Sequence, residues 1–176
     1  MLDTLITSKT RIKLLLKFFL NSDSSAYLRN LENEFGESTN SIRIELIRFE
    51  KAGLLKSQYK GNKKFFRANT EHPLFYAINN LLRKHLGFDR IIEIVVKKLG
   101  EVKCVFVVGD FARGIDNNII DLIFVGNINK NFLVELIEKA EKLIKRRIRY
   151  LVFTPDEFEN YRKDKKGIEP LLLWKE

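Results

Sequence analysis

Apolar residues recur at three- and four-residue spacing through the first half of the chain and gather into short continuous runs in the second. Ile12, Leu15, Leu16 and Phe19 form one stripe, which predicts a helix over 8–20 with Ser8 suited to its N-cap. Asn21-Ser22-Asp23-Ser24 breaks it. Leu28 and Leu31 predict a second helix over 25–34, and Gly36 turns the chain toward a third. That third helix opens at Ser38 and places Ile42, Leu46, Phe49 and Ala52 on one buried face. Gly53 stops it where a positive φ suits a helix end. Two strands are then predicted, 54–60 and 63–69, joined by Gly61-Asn62, a dipeptide suited to a tight hairpin. Phe65 and Phe66 fall on opposite sides of the second strand, one under the hairpin and one partly in solvent. Pro73 opens a helix striped with Leu74, Ala77, Ile78, Leu81 and Leu82, and after Gly87 a second apolar series continues to Leu99.

Beyond Gly100 the pattern alternates strand and helix. Residues 102–108 are nearly all apolar, as in a buried central strand, and 119–125 form a second such run broken by Asp121. An amphipathic helix is predicted over 131–145 through Leu133, Leu136, Ile137, Ala140 and Leu143, followed by a strand over 148–153. Thr154-Pro155-Asp156-Glu157 starts a last helix with good capping chemistry, and 171–174 adds an edge strand or covers the core.

The predicted helix from Ser38 carries Asn40, Ser41, Arg43, Glu45 and Arg48 on the face opposite its apolar stripe, and Lys60, Lys63 and Lys64 crowd the hairpin tip. Three helices followed by a basic hairpin are the plan of a winged helix-turn-helix, whose third helix enters the DNA major groove. On that plan Ser38, Asn40, Ser41 and Arg43 lie nearest the bases, with Arg43 able to make the bidentate contact that favours guanine. Arg48, Lys60, Lys63 and Lys64 then meet phosphates. Charge supports this. The chain has 32 Lys and Arg against 23 Asp and Glu, and residues 1–70 hold 13 and 7 of them, against 19 and 16 in the remaining 106. A generally basic, solvated surface is the plain alternative.

The segment from Ser38-Thr39-Asn40-Ser41-Ile42 to Glu50-Lys51-Ala52-Gly53-Leu54-Leu55 resembles the ArsR-like and MarR-like winged-helix regulators, over residues 5–70. The resemblance implies double-stranded DNA binding, usually as a homodimer. The metal-sensing cysteines of that family are absent, so its metal control is not implied. Cys104 is the only cysteine, which rules out an internal disulfide and a multi-cysteine zinc site. Apolar runs fall well short of a membrane span and no signal-peptide pattern is seen, so the expected location is the cytoplasm with no membrane partner. His72 and His85 are too isolated for a metal or acid–base site.

Gly109-Asp110-Phe111-Ala112-Arg113-Gly114, followed by Ile119-Ile120-Asp121-Leu122-Ile123-Phe124-Val125-Gly126, resembles the signature of minimal nucleotidyltransferases, fitting residues 100–156. In that family a Gly-Ser pair grips a nucleoside triphosphate, two carboxylates one residue apart hold divalent metal, and a third lies on a later strand. Here Asp110 stands for the serine, Ile119 for the first carboxylate, and the strand over 147–153 has no acid. Phosphoryl transfer by two metals needs several carboxylates. The expectation is a domain without catalysis and with no cofactor. Any residual nucleotide contact falls to Gly109, Asp110, Arg113 and Asp121, with Asp110 capping a short turn that begins at Phe111.

The fold expected is therefore α/β (α+β): a winged helix-turn-helix over 1–70, connecting helices over 71–100, and a small nucleotidyltransferase-like α/β domain over 101–176. The function expected is a DNA-binding transcriptional regulator whose second domain serves dimerisation, partner binding or ligand sensing. An active nucleotidyltransferase and an antitoxin-like module that binds only protein are the alternatives.

Overall fold

The computed structural model describes residues 2–164 and 170–176. The chain divides into two compact units, Met1–His85 and Leu86–Glu176, so the connecting segment over 71–100 is shared between them. The architecture is mixed α/β with two sheets.

In the first unit, α1 (Leu2–Leu5) and α2 (Lys9–Leu15) lead into a wider π-helical turn, Leu16–Leu20. Ser8 caps α2 by accepting from the Arg11 N–H. Every residue from Leu14 to Leu20 is buried, not one stripe alone, while Ile12 is only half-buried. Lys17 is tolerated there because its ammonium donates to both carboxylate oxygens of Glu34, at 2.8 and 2.9 Å. Residues 25–34 differ from the single helix expected. Ser25–Tyr27 is a strand, β1, and only Leu28–Phe35 is helical, as α3. Pairing decides this: β1 lies antiparallel to a wing strand, with Ala26 opposite Phe66.

Helix α4 (Thr39–Lys51) packs on both α2 and α3. Ser38 caps it by accepting from the Ser41 N–H at 3.2 Å. Ile42, Leu46 and Phe49 are buried as expected, but Ala52 sits at the helix end and is exposed. The wing follows as β2 (Leu55–Lys60) and β3 (Lys63–Ala68), in the sheet order β1-β3-β2, with Gly61 at φ +61° in the turn. Phe66 is buried beneath the sheet and Phe65 is half-exposed on the other side. Helix α5 (Phe75–Leu86) is tied to the π turn, where the Asn79 amide donates to the Phe19 carbonyl and the Phe19 and Phe75 rings lie 5.7 Å apart. This element order and sheet topology are those of a winged helix-turn-helix.

The second unit begins with α6 (Phe88–Ile91), a π turn Ile92–Val96 and α7 (Lys97–Leu99). Strand β4 (Val102–Val108), the short helix α8 (Gly109–Ala112) and strand β5 (Ile119–Gly126) come next. Helix α9 (Lys130–Ile144) crosses to β6 (Arg147–Phe153), which lies parallel to β5. Helix α10 (Pro155–Asp164) has the capping box its sequence promised: the Thr154 N–H donates to Glu157 at 2.7 Å and the Glu157 N–H to the Thr154 hydroxyl. Strand β7 (Leu171–Lys175) takes the edge beside β4, giving the order β6-β5-β4-β7. Phe158 of α10 is buried against Ile123 and Val125, with Phe106, Phe153 and Tyr161 around it. By strand alternation, Asp121, Arg149 and Val108 belong to that same face of the sheet. The unit is a small α/β domain built on a mixed four-stranded sheet.

Candidate nucleic-acid interface

Helix α4 turns about 100° per residue, so Asn40, Arg43, Ile44 and Ile47 share one face. All four are exposed. Ser38 and Ser41 also reach solvent at the N-terminus, but their hydroxyls lie 2.8 Å from each other, within the cap. Beside this face, α3, α4 and the wing enclose an open groove of about 690 Å³, whose walls include Tyr27, Thr39, Arg43, Ile47, Asn62 and Lys63. The first unit carries 15 Lys and Arg against 8 Asp and Glu, the second 17 against 15.

The side chains expected at the interface differ in what holds them. Arg48 is largely exposed and donates to Glu45 at 3.1 Å. Lys60 and Lys63 are exposed, their ammonium groups over the rings of Phe65 and Tyr27 at 5.6 and 4.6 Å. Lys64 is half-buried, over Phe66 and donating to Glu50 at 2.8 Å. The Lys64 bond, and after it one from the Ser57 hydroxyl, holds the Glu50 carboxyl below its usual range, so Lys64 braces the wing against α4.

Glu45 corrects the sequence reading. It faces inward and is 5% exposed. The Arg11 guanidinium donates to both of its carboxylate oxygens, at 2.9 and 3.1 Å. Burial pushes its pKa up, but the Arg11 hydrogen bonds and the Arg11 and Arg48 charges outweigh this and hold it below the ordinary value. Two residues were missed in the other direction. Ile44 and Ile47 are 41% and 42% exposed on the open face, and their spacing from Ile42 and Leu46 already placed them there. Exposed branched side chains on such a helix can meet thymine methyl groups.

In the second unit, Gly109 and Asp121 approach closely: a Cβ on Gly109 would lie 2.6 Å from the Asp121 Oδ2, and its φ is +67°. Asp121 has its own counter-ion. Arg149, directly beside it on β6, donates from Nε and Nη2 to its two oxygens at 2.7 and 3.0 Å. Asp110 lies inside α8 and does not cap it; its carboxylate accepts from the Asn117 amide at 2.7 Å and from Arg113. Those two donors, Asn117 foremost, hold its pKa below the usual carboxylate range. A shallow cleft of about 490 Å³ opens over this face, between Gly109, Asp121, Arg149, Leu151 and Tyr161.

No family model and no curated protein matches the chain. Among solved structures, reduced HlyU from Vibrio cholerae N16961 is similar over 47% of this chain and 82% of its own, at 17% identity and a TM-score of 0.37. A Sulfolobus solfataricus protein proposed to be a nucleotidyltransferase is similar over 56% of this chain and 86% of its own, at 24% identity and a TM-score of 0.36.

The sequence pattern around Gly109 and Asp121 raises the question of divalent metal, and the donors described around them do not fit it. Both oxygens of Asp121 are taken by a guanidinium, and Asp110 is occupied by Arg113 and Asn117. Among the described residues no group of three or more His, Cys, Asp or Glu is placed to hold a metal ion. Among them, too, no helix is long and apolar enough to cross a membrane.

Proposed function

We propose that the chain is a sequence-specific transcriptional regulator that binds double-stranded DNA as a homodimer. Its second unit, on this reading, is a catalytically degenerate nucleotidyltransferase-like domain used for dimerisation, partner binding or ligand sensing. One observation carries the reading: the exposed face of α4 sets Arg43 and Asn40 beside a groove whose far wall is the basic wing tip. Base-edge donors flanked by phosphate-seeking cations are what sequence-specific duplex binding requires. The Asp121–Arg149 pair supports the degenerate part, because a guanidinium engages both oxygens that a divalent cation would need.

Selection of bound duplexes from a random library at near-physiological salt tests the proposal. The expected product is a two-fold-related motif. Arg43→Ala should blur one base position in each half, at a cost of about 1–3 kcal/mol. Ile47→Ala should relax a preference for thymine at a neighbouring position. Lys63→Ala should weaken all sequences alike and lower the salt slope by about 0.9. Lys64→Ala should lower it less, since Glu50 already neutralises that ammonium. No enrichment of any motif would remove the proposal and favour a module that binds protein.

A further inference from the structure

The wing sheet has a second face, whose Phe65 and Arg67 have no part in duplex contact. Strand alternation puts Ala26, Leu55, Phe66 and Ala68 inward, where all four are buried. The outer face holds Tyr27 opposite Phe65 and Lys56 opposite Arg67. The two rings pack edge to face, with centroids 5.2 Å apart, and each remains part-exposed. Lys60 lies over Phe65 and Lys63 over Tyr27, where its ammonium is also 3.5 Å from the phenol oxygen. The neighbouring acids Glu71 and Glu50 pair with Lys56 and Lys64, and, among the described residues, Arg67 meets Glu71 only through its charge, without a direct ion pair. A hollow of about 250 Å³ lies beside Phe65, lined also by Ser22, Asp23, Ser25, Gln58, Lys60 and Arg67, so two cations face one carboxylate there.

An ammonium resting on an exposed ring is weakly held, at roughly 0.5–1 kcal/mol, and is readily exchanged for a better partner. A ligand bringing phosphates and flat π faces together supplies both exchanges: the ammonium moves to the phosphate and the ring takes the base. A duplex cannot do this, because its base faces are hidden in the stack. Unpaired bases can. An acidic peptide would satisfy the cations and leave the rings unused.

We propose that the outer face of the wing sheet binds single-stranded nucleic acid, its bases stacking on Phe65 and Tyr27 and its phosphates meeting Lys60, Lys63 and Arg67. Phe65 and Arg67 lie outside the groove beside α4 and are not among the side chains assigned to duplex contact, whereas Tyr27 and Lys63 stand at the border of the two surfaces.

The test uses the full chain and fluorescent oligothymidylate and oligouridylate of roughly 12 nucleotides, followed by anisotropy across a salt series. Binding should be measurable, and Tyr27→Leu and Phe65→Leu should each weaken it about 5- to 100-fold. Arg67→Glu, at an exposed position where folding is not at stake, should also weaken it and flatten its salt dependence by at least about 0.7. Affinity for the duplex selected above should stay within about twofold in Phe65→Leu, whose ring lies outside the groove beside α4 and whose melting curve is recorded alongside. The proposal is overturned if the oligonucleotides do not bind, if Arg67→Glu binds them as well as the parent chain, or if folded ring variants do. Equal loss of duplex and single-strand binding in Phe65→Leu overturns it too, since the ring would then serve the wing's structure. Arg43→Ala should lower duplex binding only, so failure of either proposal leaves the other readable.

Discussion

Gly126→Ala should unfold the second unit more readily than any other single-methyl change in it. Gly126 ends β5 at φ +152°, opposite Val102, where the β4 register shifts. A Cβ there would stand 2.2 Å from the Glu101 carbonyl oxygen and 3.1 Å from the Val102 Cα. Both are backbone atoms, at and just before the start of β4, so no side chain can swing aside. Overpacking and the forbidden φ together cost about 3–5 kcal/mol. For a unit of this size that is roughly a 15–30 °C fall in Tm. Trp174, the only tryptophan, lies on β7 of the same unit, so its fluorescence follows this transition alone. Asn127→Ala, one residue on and exposed, should melt like the parent chain. A Gly126→Ala protein melting within about 2 °C of the parent would show that β5 does not approach Glu101 as described.

The second large effect belongs to Glu45→Gln. The amide cannot accept two charged hydrogen bonds as the carboxylate does, and it leaves the Arg11 fork half-used at a nearly buried site. Arg11 is 38% exposed and can turn toward water, which keeps the loss nearer about 1–3 kcal/mol than that of a fully buried pair. The acid dependence identifies the cause. Because the folded pKa is depressed, the carboxylate's contribution is fully present above its ordinary 4.5 and is lost as pH falls through the lower folded value. Urea unfolding followed by circular dichroism should therefore separate parent and variant at pH 7 and bring them together in strong acid. Arg11→Met with Glu45→Gln should cost less than the two changes added. Additive costs, or a gap that persists in acid, would mean that Glu45 acts by shape alone.

Most elements were legible because their signals are local. The Ser8 and Ser38 caps, the Gly61-Asn62 turn and the Thr154–Glu157 box each specify their backbone within four residues. Strand β1 was not legible. Three residues are too few to show a period of two, and Ala26 becomes strand only by pairing with Phe66, 40 positions later. Glu45 was assigned to the wrong side of α4 for a related reason: a pattern of apolar residues cannot register a buried carboxylate whose partner lies on another helix. At the second site, the absence of acid on β6 could be read directly. That Arg149 stands beside Asp121 could not, because it depends on the parallel register of β5 and β6.

The Arg11–Glu45 contact also has a mechanical consequence. A helix seated on an oily seam alone can roll slightly, trading one apolar contact for its neighbour at small cost. Glu45 finds both donors of the Arg11 fork in one orientation only, so the pair acts as a rotational key for α4. Arg43 projects about 200° around the helix from Glu45. The azimuth of Asn40, Arg43, Ile44 and Ile47 is thus set from the far side of the cylinder, by a residue almost wholly out of water.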